Sequence, residues 1–291
     1  MEPKKKISVG VVLAIVFASL IGLAMIGGLI YMVMPTGGSG SRSGNSGRSN
    51  NKSIDFFGTD RDYDPSKRVS KQIPLDQFME MDVNVESMTV IIKPGDKYEV
   101  DYETVEGLEP SINQHGKTLN IEQQGSIRNP SQDYMSELYI MVPQGAELAS
   151  AKIKCNGDHI HIRDVTVYTP VLSTTAGDIV VANVNSQATE AHSDAGSITM
   201  ENVDMGQSML STNSGDITIR ASRFGDLVSN ANAGNIHIEG SREDLSKYNM
   251  DLNTTTGKIM VQSQEQGSSY LTTGGVFGMK ITTKEGDISI Q

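Results

Sequence analysis

The 291 residues predict an all-β chain: a single-stranded β-solenoid (β-helix) with coils of about 19 residues, preceded by one N-terminal transmembrane helix. Three observations lead there. Gly-x-Ile recurs at Gly177, Gly196, Gly215 and Gly234, 19 residues apart each time. Around each glycine the residues alternate apolar and polar, the period of a strand. At the other end of the chain, residues 7–34 form a run of 28 without one charged side chain, where about 20 apolar residues span a bilayer.

The elements follow in chain order. Residues 1–6 carry Lys4, Lys5 and Lys6, and positive charge stays on the cytoplasmic side. They predict a cytoplasmic tail, an anchor at 7–34 and everything later outside the cell membrane. A cleaved signal peptide is the rival, with Gly22-Leu23-Ala24 as a small-residue cleavage site. Its apolar region is usually only about 7–15 residues long. Gly10, Ala14, Ala18 and Gly22 line one ridge of the helix, a pattern that lets two membrane helices approach closely. Residues 35–72 predict a flexible linker, since 36–53 are almost wholly Gly, Ser and Asn and offer nothing to bury.

Residues 73–155 are strand-rich but keep no 19-residue ruler, and predict irregular first coils or a β-rich cap. Regular repeats are expected over 156–291. Aligned on the glycine, the second position on is Ile179, Ile198, Ile217, Ile236, Ile259 or Ile288, with looser copies at Gly257 and Gly286. One coil cannot bury such a column alone, so coils stack and the isoleucines become an internal ladder. Gly177, Gly196, Gly215, Gly234, Gly257 and Gly286 are the expected turns, read as bends needing positive φ. Three positions upstream stand Thr174, Ser193, Thr212, Ala231, Thr254 and Thr283, small residues for a narrow interior. The last repeat, at residues 286–291, ends on an inner strand and is expected to leave an open edge.

Charge and composition exclude several functions. The chain holds 24 basic and 35 acidic residues, and residues 53–291 alone carry a net −16. That balance repels nucleic acid, whose binding rests on neutralised phosphates. A single Cys155 excludes a disulfide framework and cysteine zinc clusters. His159 and His161 share a strand face, a spacing used by zinc, yet Val180 lies beside His161 in the next coil and His237 is four coils away. The Ser/Thr column lacks a repeated His–acid pair to activate it. The Gly-Asp pairs lack the nine-residue period of calcium-binding β-repeats. Arg163 and Arg220 could serve a polysaccharide lyase, but no acid cluster accompanies them. No catalytic, metal or cofactor residue is assigned.

One order of motifs is distinctive. A membrane anchor is followed by Lys93-Pro94-Gly95-Asp96 after an apolar strand, Leu119-Asn120-Ile121, and Leu138-x-Ile140-x-Val142-Pro143-x-Gly145. Tandem Gly-Asp-Ile copies then run on to residue 288. Over about residues 75–291 the chain resembles the bacterial putative-adhesin domain family, which includes membrane-anchored relatives encoded with cell-envelope-stress regulators. The resemblance implies a β-solenoid, an extracytoplasmic location and no catalytic residues. The expected function is therefore a membrane-anchored, non-catalytic surface interaction or scaffold module. The alternatives are an accessory sensor or regulator of an envelope-stress system and a carbohydrate-active β-helix enzyme. Expected partners are the lipid bilayer through residues 7–34 and a protein or cell-wall polymer outside. The membrane helix and the C-terminal edge are the two candidate homodimer surfaces.

Overall fold

Alternation of apolar and polar residues is realised as strands along the whole folded region. The computed structural model describes Asp64, residues 66–126 and residues 136–291. These belong to one compact unit, Asp55–Gln291. The expected anchor at 7–34 and most of the linker lie outside the described residues. Among the described residues no helix is long and apolar enough to cross a membrane.

The strands are β1 (Arg68–Pro74), β2 (Glu80–Val85), β3 (Thr89–Gly95), β4 (Glu99–Val105), β5 (Ser111–His115), β6 (Thr118–Gln123), β7 (Glu137–Pro143), β8 (Glu147–Cys155) and β9 (Ile160–Arg163). Then come β10 (Thr166–Thr174), β11 (Ile179–Ala182), β12 (Ala188–Ala195), β13 (Ile198–Glu201), β14 (Asp204–Met205), β15 (Gln207–Ser214), β16 (Ile217–Arg220), β17 (Arg223–Phe224), β18 (Leu227–Ala233) and β19 (Ile236–Glu239). The last six are β20 (Tyr248–Thr254), β21 (Ile259–Val261), β22 (Gln264–Gly267), β23 (Ser269–Leu271), β24 (Phe277–Glu285) and β25 (Ile288–Ile290).

Most of them form two long sheets, of 12 and 11 strands, whose central strands all run parallel. Each coil gives a longer strand to the 11-stranded sheet, turns at its glycine, and gives a short strand to the 12-stranded sheet. In the middle, neighbours are one repeat apart: Ile179 pairs with Ile198, Ile198 with Ile217 and Ile217 with Ile236. All are fully buried. Leu172, Ala191, Leu210 and Ser229 form the facing column from the other sheet, and the space between the two columns is the core.

The glycines are required mainly by crowding, which corrects the expectation that each is a positive-φ bend. Positive φ occurs at Gly215, Gly234 and Gly286 but not at Gly177, Gly196 or Gly257. What all six share is a backbone carbonyl of the adjacent coil in the place where a Cβ would stand. The coil returns through a second corner, where Asp164, Asn183, Asn202 and Ala221 hold φ of 58°, 55°, 52° and 45°. Asn and Asp tolerate this left-handed backbone better than other L-residues.

Coil order departs from chain order at both ends. The strand order β3-β9 places the first coil, β2–β3, directly against β8–β9. β6 and β7 then fill the space between that coil and the antiparallel strands β5 and β4, with β1 outermost beside β4. At the other end β25 slots between β19 and β21, pairing Ile288 with both Ile236 and Ile259. β24 slots likewise between β18 and β20. The expectation of an open edge at the last repeat is thus corrected: β25 has partners on both sides, and the outer strands there are β22 and β23. The aromatic side chains of the core also collect at the ends. Phe78 meets Tyr98 edge-on at 5.1 Å. Phe224, Tyr248 and Phe277 stack in tilted pairs at 5.2 and 5.7 Å.

Candidate functional site

The repeated polar residues face the neighbouring coil. At the glycine corner, Asp178 Oδ1 accepts from the Ser197 N–H (2.8 Å), and Ser197 Oγ accepts from the Asp216 N–H (3.3 Å). Asp216 Oδ1 accepts from Asn235 N–H (2.7 Å), Asn235 Oδ1 from Asp287 N–H (2.8 Å) and Asp287 Oδ1 from Lys258 N–H (2.8 Å). The residue after each glycine therefore caps the same position one coil along. This commits those carboxylates to backbone donors, a strong use of an anionic acceptor.

The hydroxyl column works in the same way. Thr174, Ser193, Thr212, Thr283 and Thr254 donate to the carbonyls of Asp158, Gly177, Gly196, Gly234 and Gly286 at 2.8–3.0 Å. Ala231 interrupts the series. Cys155 occupies the same column beside Thr174, and its thiol donates to the Met88 carbonyl at 3.2 Å. Burial pushes its pKa up to about 11, so the thiolate that reacts is scarce at neutral pH.

The histidines are dispersed. The His159 and His161 rings lie 6.0 Å apart. The Asp178 N–H donates to His159 Nδ1 at 3.0 Å, which occupies the lone pair a metal would use. Burial, with the nearby His159, holds His161 below the usual imidazole range. Val180 stands opposite it. Among the described residues no three His, Cys, Asp or Glu side chains converge on a metal site.

A Ser–His–Asp relay does occur, on the outward face of the 11-stranded sheet. Ser211 Oγ lies 2.9 Å from His192 Nδ1, and His192 Nε2 lies 3.1 Å from Asp194 Oδ1. Asp194 Oδ1 also accepts from Asn213 Nδ2 at 2.7 Å. The sequence reading passed over it because His192 and Ser211 come together only through the 19-residue register. Acyl transfer also needs donors aimed at the developing oxyanion. β15 is paired with β12 on one side and β18 on the other, so its backbone N–H groups are engaged in the sheet.

A shallow polar groove of about 260 Å³ crosses the same face near the first coils, lined by Asp82, Asn84, Asn120, Glu122, Lys152 and Lys154. Lys152 Nζ pairs with Asp82 at 3.2 Å. These residues come from β2, β6 and β8, which share no sequence ruler. Of the arginines considered for a lyase, Arg220 faces Glu239 at 3.4 Å, and Arg163 is exposed in the register position beside Ala182.

The stacked parallel coils have a match among protein families: the Toastrack DUF4097 family model covers residues 78–291. The chain belongs to that family. The resemblance to adhesin-type domains read from the motif order therefore holds. No curated protein matches. Solved structures with a similar course include a putative adhesin from Bacteroides fragilis, 13% identical, covering 77% of this chain and 97% of that one at a TM-score of 0.43. A putative adhesin from Parabacteroides distasonis is 15% identical, with coverages of 77% and 97% and a TM-score of 0.40. A putative lipid-binding protein from the same species is 10% identical, with coverages of 79% and 99% and a TM-score of 0.39. Likeness of this degree carries no inference about what the Toastrack domain of this chain binds.

Proposed function

We propose that this protein is a membrane-anchored, non-catalytic interaction module, adhesin-like in presenting a β-solenoid outside the cell membrane. The supporting observation is where its polar side chains go. The Asp, Asn, Ser and Thr columns bond to the adjacent coil, which fixes coil register and builds a rigid rod with broad solvated faces. Twelve strands at about 4.8 Å spacing make that rod roughly 50 Å long. An active site needs groups converging on one reacting atom, and the backbone N–H groups beside the Ser211–His192–Asp194 relay are engaged in the sheet. The anchoring rests on Lys4 to Lys6 and the uncharged run 7–34.

Protease added to intact protoplasts should digest the domain and leave a short membrane stub. A released chain starting near Met25 would defeat the anchored reading. A photo-crosslinker at outward-facing Thr199, in intact cells, should capture a wall polymer or an envelope protein. Capture confined to a stress-regulatory membrane protein would move the reading to a sensor subunit. Hydrolysis or elimination of a glycan by the full chain, lost on substituting a groove acid such as Glu122→Gln, would overturn the non-catalytic assignment.

A further inference from the structure

The polar groove near the first coils gathers side chains that the protein leaves unbonded. Farther along the same face, outward polar groups are tied to one another. Ser211 lies 2.9 Å from His192, and Asn232, Asn213 and Asp194 form a chain of bonds at 2.7–2.8 Å. In the groove only Lys152 and Asp82 pair, at 3.2 Å. The side chains of Asn84, Asn120, Glu122 and Lys154 have no hydrogen bond or ion pair among the described residues.

Strand register sets these groups in two rows. Asn120, Asp82 and Lys152 stand opposite one another across β6, β2 and β8, and so do Glu122, Asn84 and Lys154. Each row is two strand spacings wide, about 9–10 Å, and the rows lie about 7 Å apart. The one apolar residue along the groove, Ile121, is fully buried and turns its side chain into the core. The groove therefore offers nothing to an acyl chain or an apolar peptide.

We infer that this groove binds an uncharged glycan, an inference that rests on the interaction-module reading above and gives that module its contact site. A sugar hydroxyl both donates and accepts, so a run of them needs donors and acceptors interleaved at short range. The carboxylates of Asp82 and Glu122 only accept, the ammonium groups of Lys152 and Lys154 only donate, and the amides of Asn84 and Asn120 do both. These charges cancel, two against two, so a polycation finds no excess of acid here. Polyanions are repelled by the net −16 of residues 53–291. The groove has no aromatic platform, so one site holds a glycan weakly. Many anchored copies facing one polymer then supply the avidity.

The test uses the full chain in detergent micelles and a panel of uncharged tetrasaccharides, of N-acetylglucosamine, glucose, galactose and mannose. At least one should shift the side-chain amide NMR signals of Asn84 and Asn120. The signal of Asn230, in the same row on β18, should stay in place. Replacing both amides, Asn84→Ala with Asn120→Ala, should weaken that binding at least tenfold. The melting temperature should not change, since neither amide has a protein partner. Asn230→Ala should bind as the parent does, and added salt should leave the affinity unchanged, as for an uncharged ligand. The inference is overturned if no glycan of the panel moves the two amides, or if Asn230→Ala weakens binding as much as the double variant. It is also overturned if polyphosphate takes the groove in a salt-sensitive way. Capture of an envelope partner at Thr199, on the 12-stranded sheet, with no glycan response in the groove would overturn this site and leave the broader interaction reading standing.

Discussion

The middle of the stack and its two ends solve the same packing problem with different means. From β10 to β19 every coil contacts the one made 19 residues earlier, and the buried side chains up to Arg220 are aliphatic or small. The ends carry the aromatics, and there a strand pair made later in the chain is inserted between two made earlier. Ile236 reaches Ile288 across 52 residues. A stack built strictly in order would finish on a coil with one bare apolar column and one row of unpaired backbone groups. Insertion instead puts the final coil inside and leaves the outer border to strands that can be polar, short and antiparallel. Longer sequence separation is the consequence, and it slows folding.

The largest test of that difference removes the inserted coil. A chain ending at Val276 lacks β24 and β25, so β18–β19 and β20–β21 lose their shared partner at once. Four parallel ladders and the burial of Met279, Ile281, Ile288 and Ile290 disappear. At about 1.5–3 kcal/mol for each buried apolar side chain, the loss should exceed what this region can tolerate. Amides of β20 and β21 are expected to exchange at unprotected rates, while those of β11 to β16 stay protected. Retained protection in β20 and β21 would mean that the enclosed position of the last coil is wrong.

The second test concerns glycine. A Cβ at Gly196 would fall on the Gly177 carbonyl, and that carbonyl belongs to a coil held on both sides. Gly196→Ala is expected to cost about 3 kcal/mol through forced separation of two coils. A Cβ at Gly157 would meet the Glu86 carbonyl at 3.1 Å, in the first coil, where a shift of a few tenths of an ångström suffices. Gly157→Ala should cost about 1 kcal/mol. Urea unfolding midpoints of the two variants compare them directly, and equal losses would refute a difference in rigidity between middle and end.

What the sequence disclosed divides along the same line. The isoleucine ladder was legible because each coil meets its neighbour through the same residues at the same spacing, so one alignment exposes Ile179, Ile198, Ile217 and Ile236 together. Ile259 and Ile288 were also visible, but not their exchange of places, since adjacency across 52 residues leaves no local mark. The glycine column was seen and its cause partly misread: flanking turn residues suggested backbone bends, whereas the adjacent carbonyl is apparent only once coils are stacked. The return corner had a signal, the series Asp164, Asn183 and Asn202 at a constant spacing of 19 residues, that went unused. The polar groove depends on strand pairing outside the ruler, so it was not legible.

The smallest effect is a gain. Ala221 holds φ of 45° at the corner where the two preceding coils use Asn183 and Asn202 and the next uses Gly240, with φ of 61°. A left-handed backbone costs an ordinary L-residue roughly 1–2 kcal/mol, and Asn tolerates it better. Asn202 Nδ2 donates to Asn183 Oδ1 at 2.7 Å, and Asn183 Nδ2 donates to Asp164 Oδ1 at 2.8 Å. An asparagine at 221 would extend that ladder by one exposed bond while relieving the backbone. Ala221→Asn should therefore raise stability by about 1 kcal/mol, read as a higher urea midpoint with an unchanged slope. Ala221→Gly separates the contributions, because it relieves the backbone without adding a side-chain bond and loosens the unfolded chain. If Asn and Gly stabilise equally, the amide ladder adds nothing. If Asn destabilises, the left-handed assignment of this corner fails, and with it the claim that the middle coils turn by one repeated geometry.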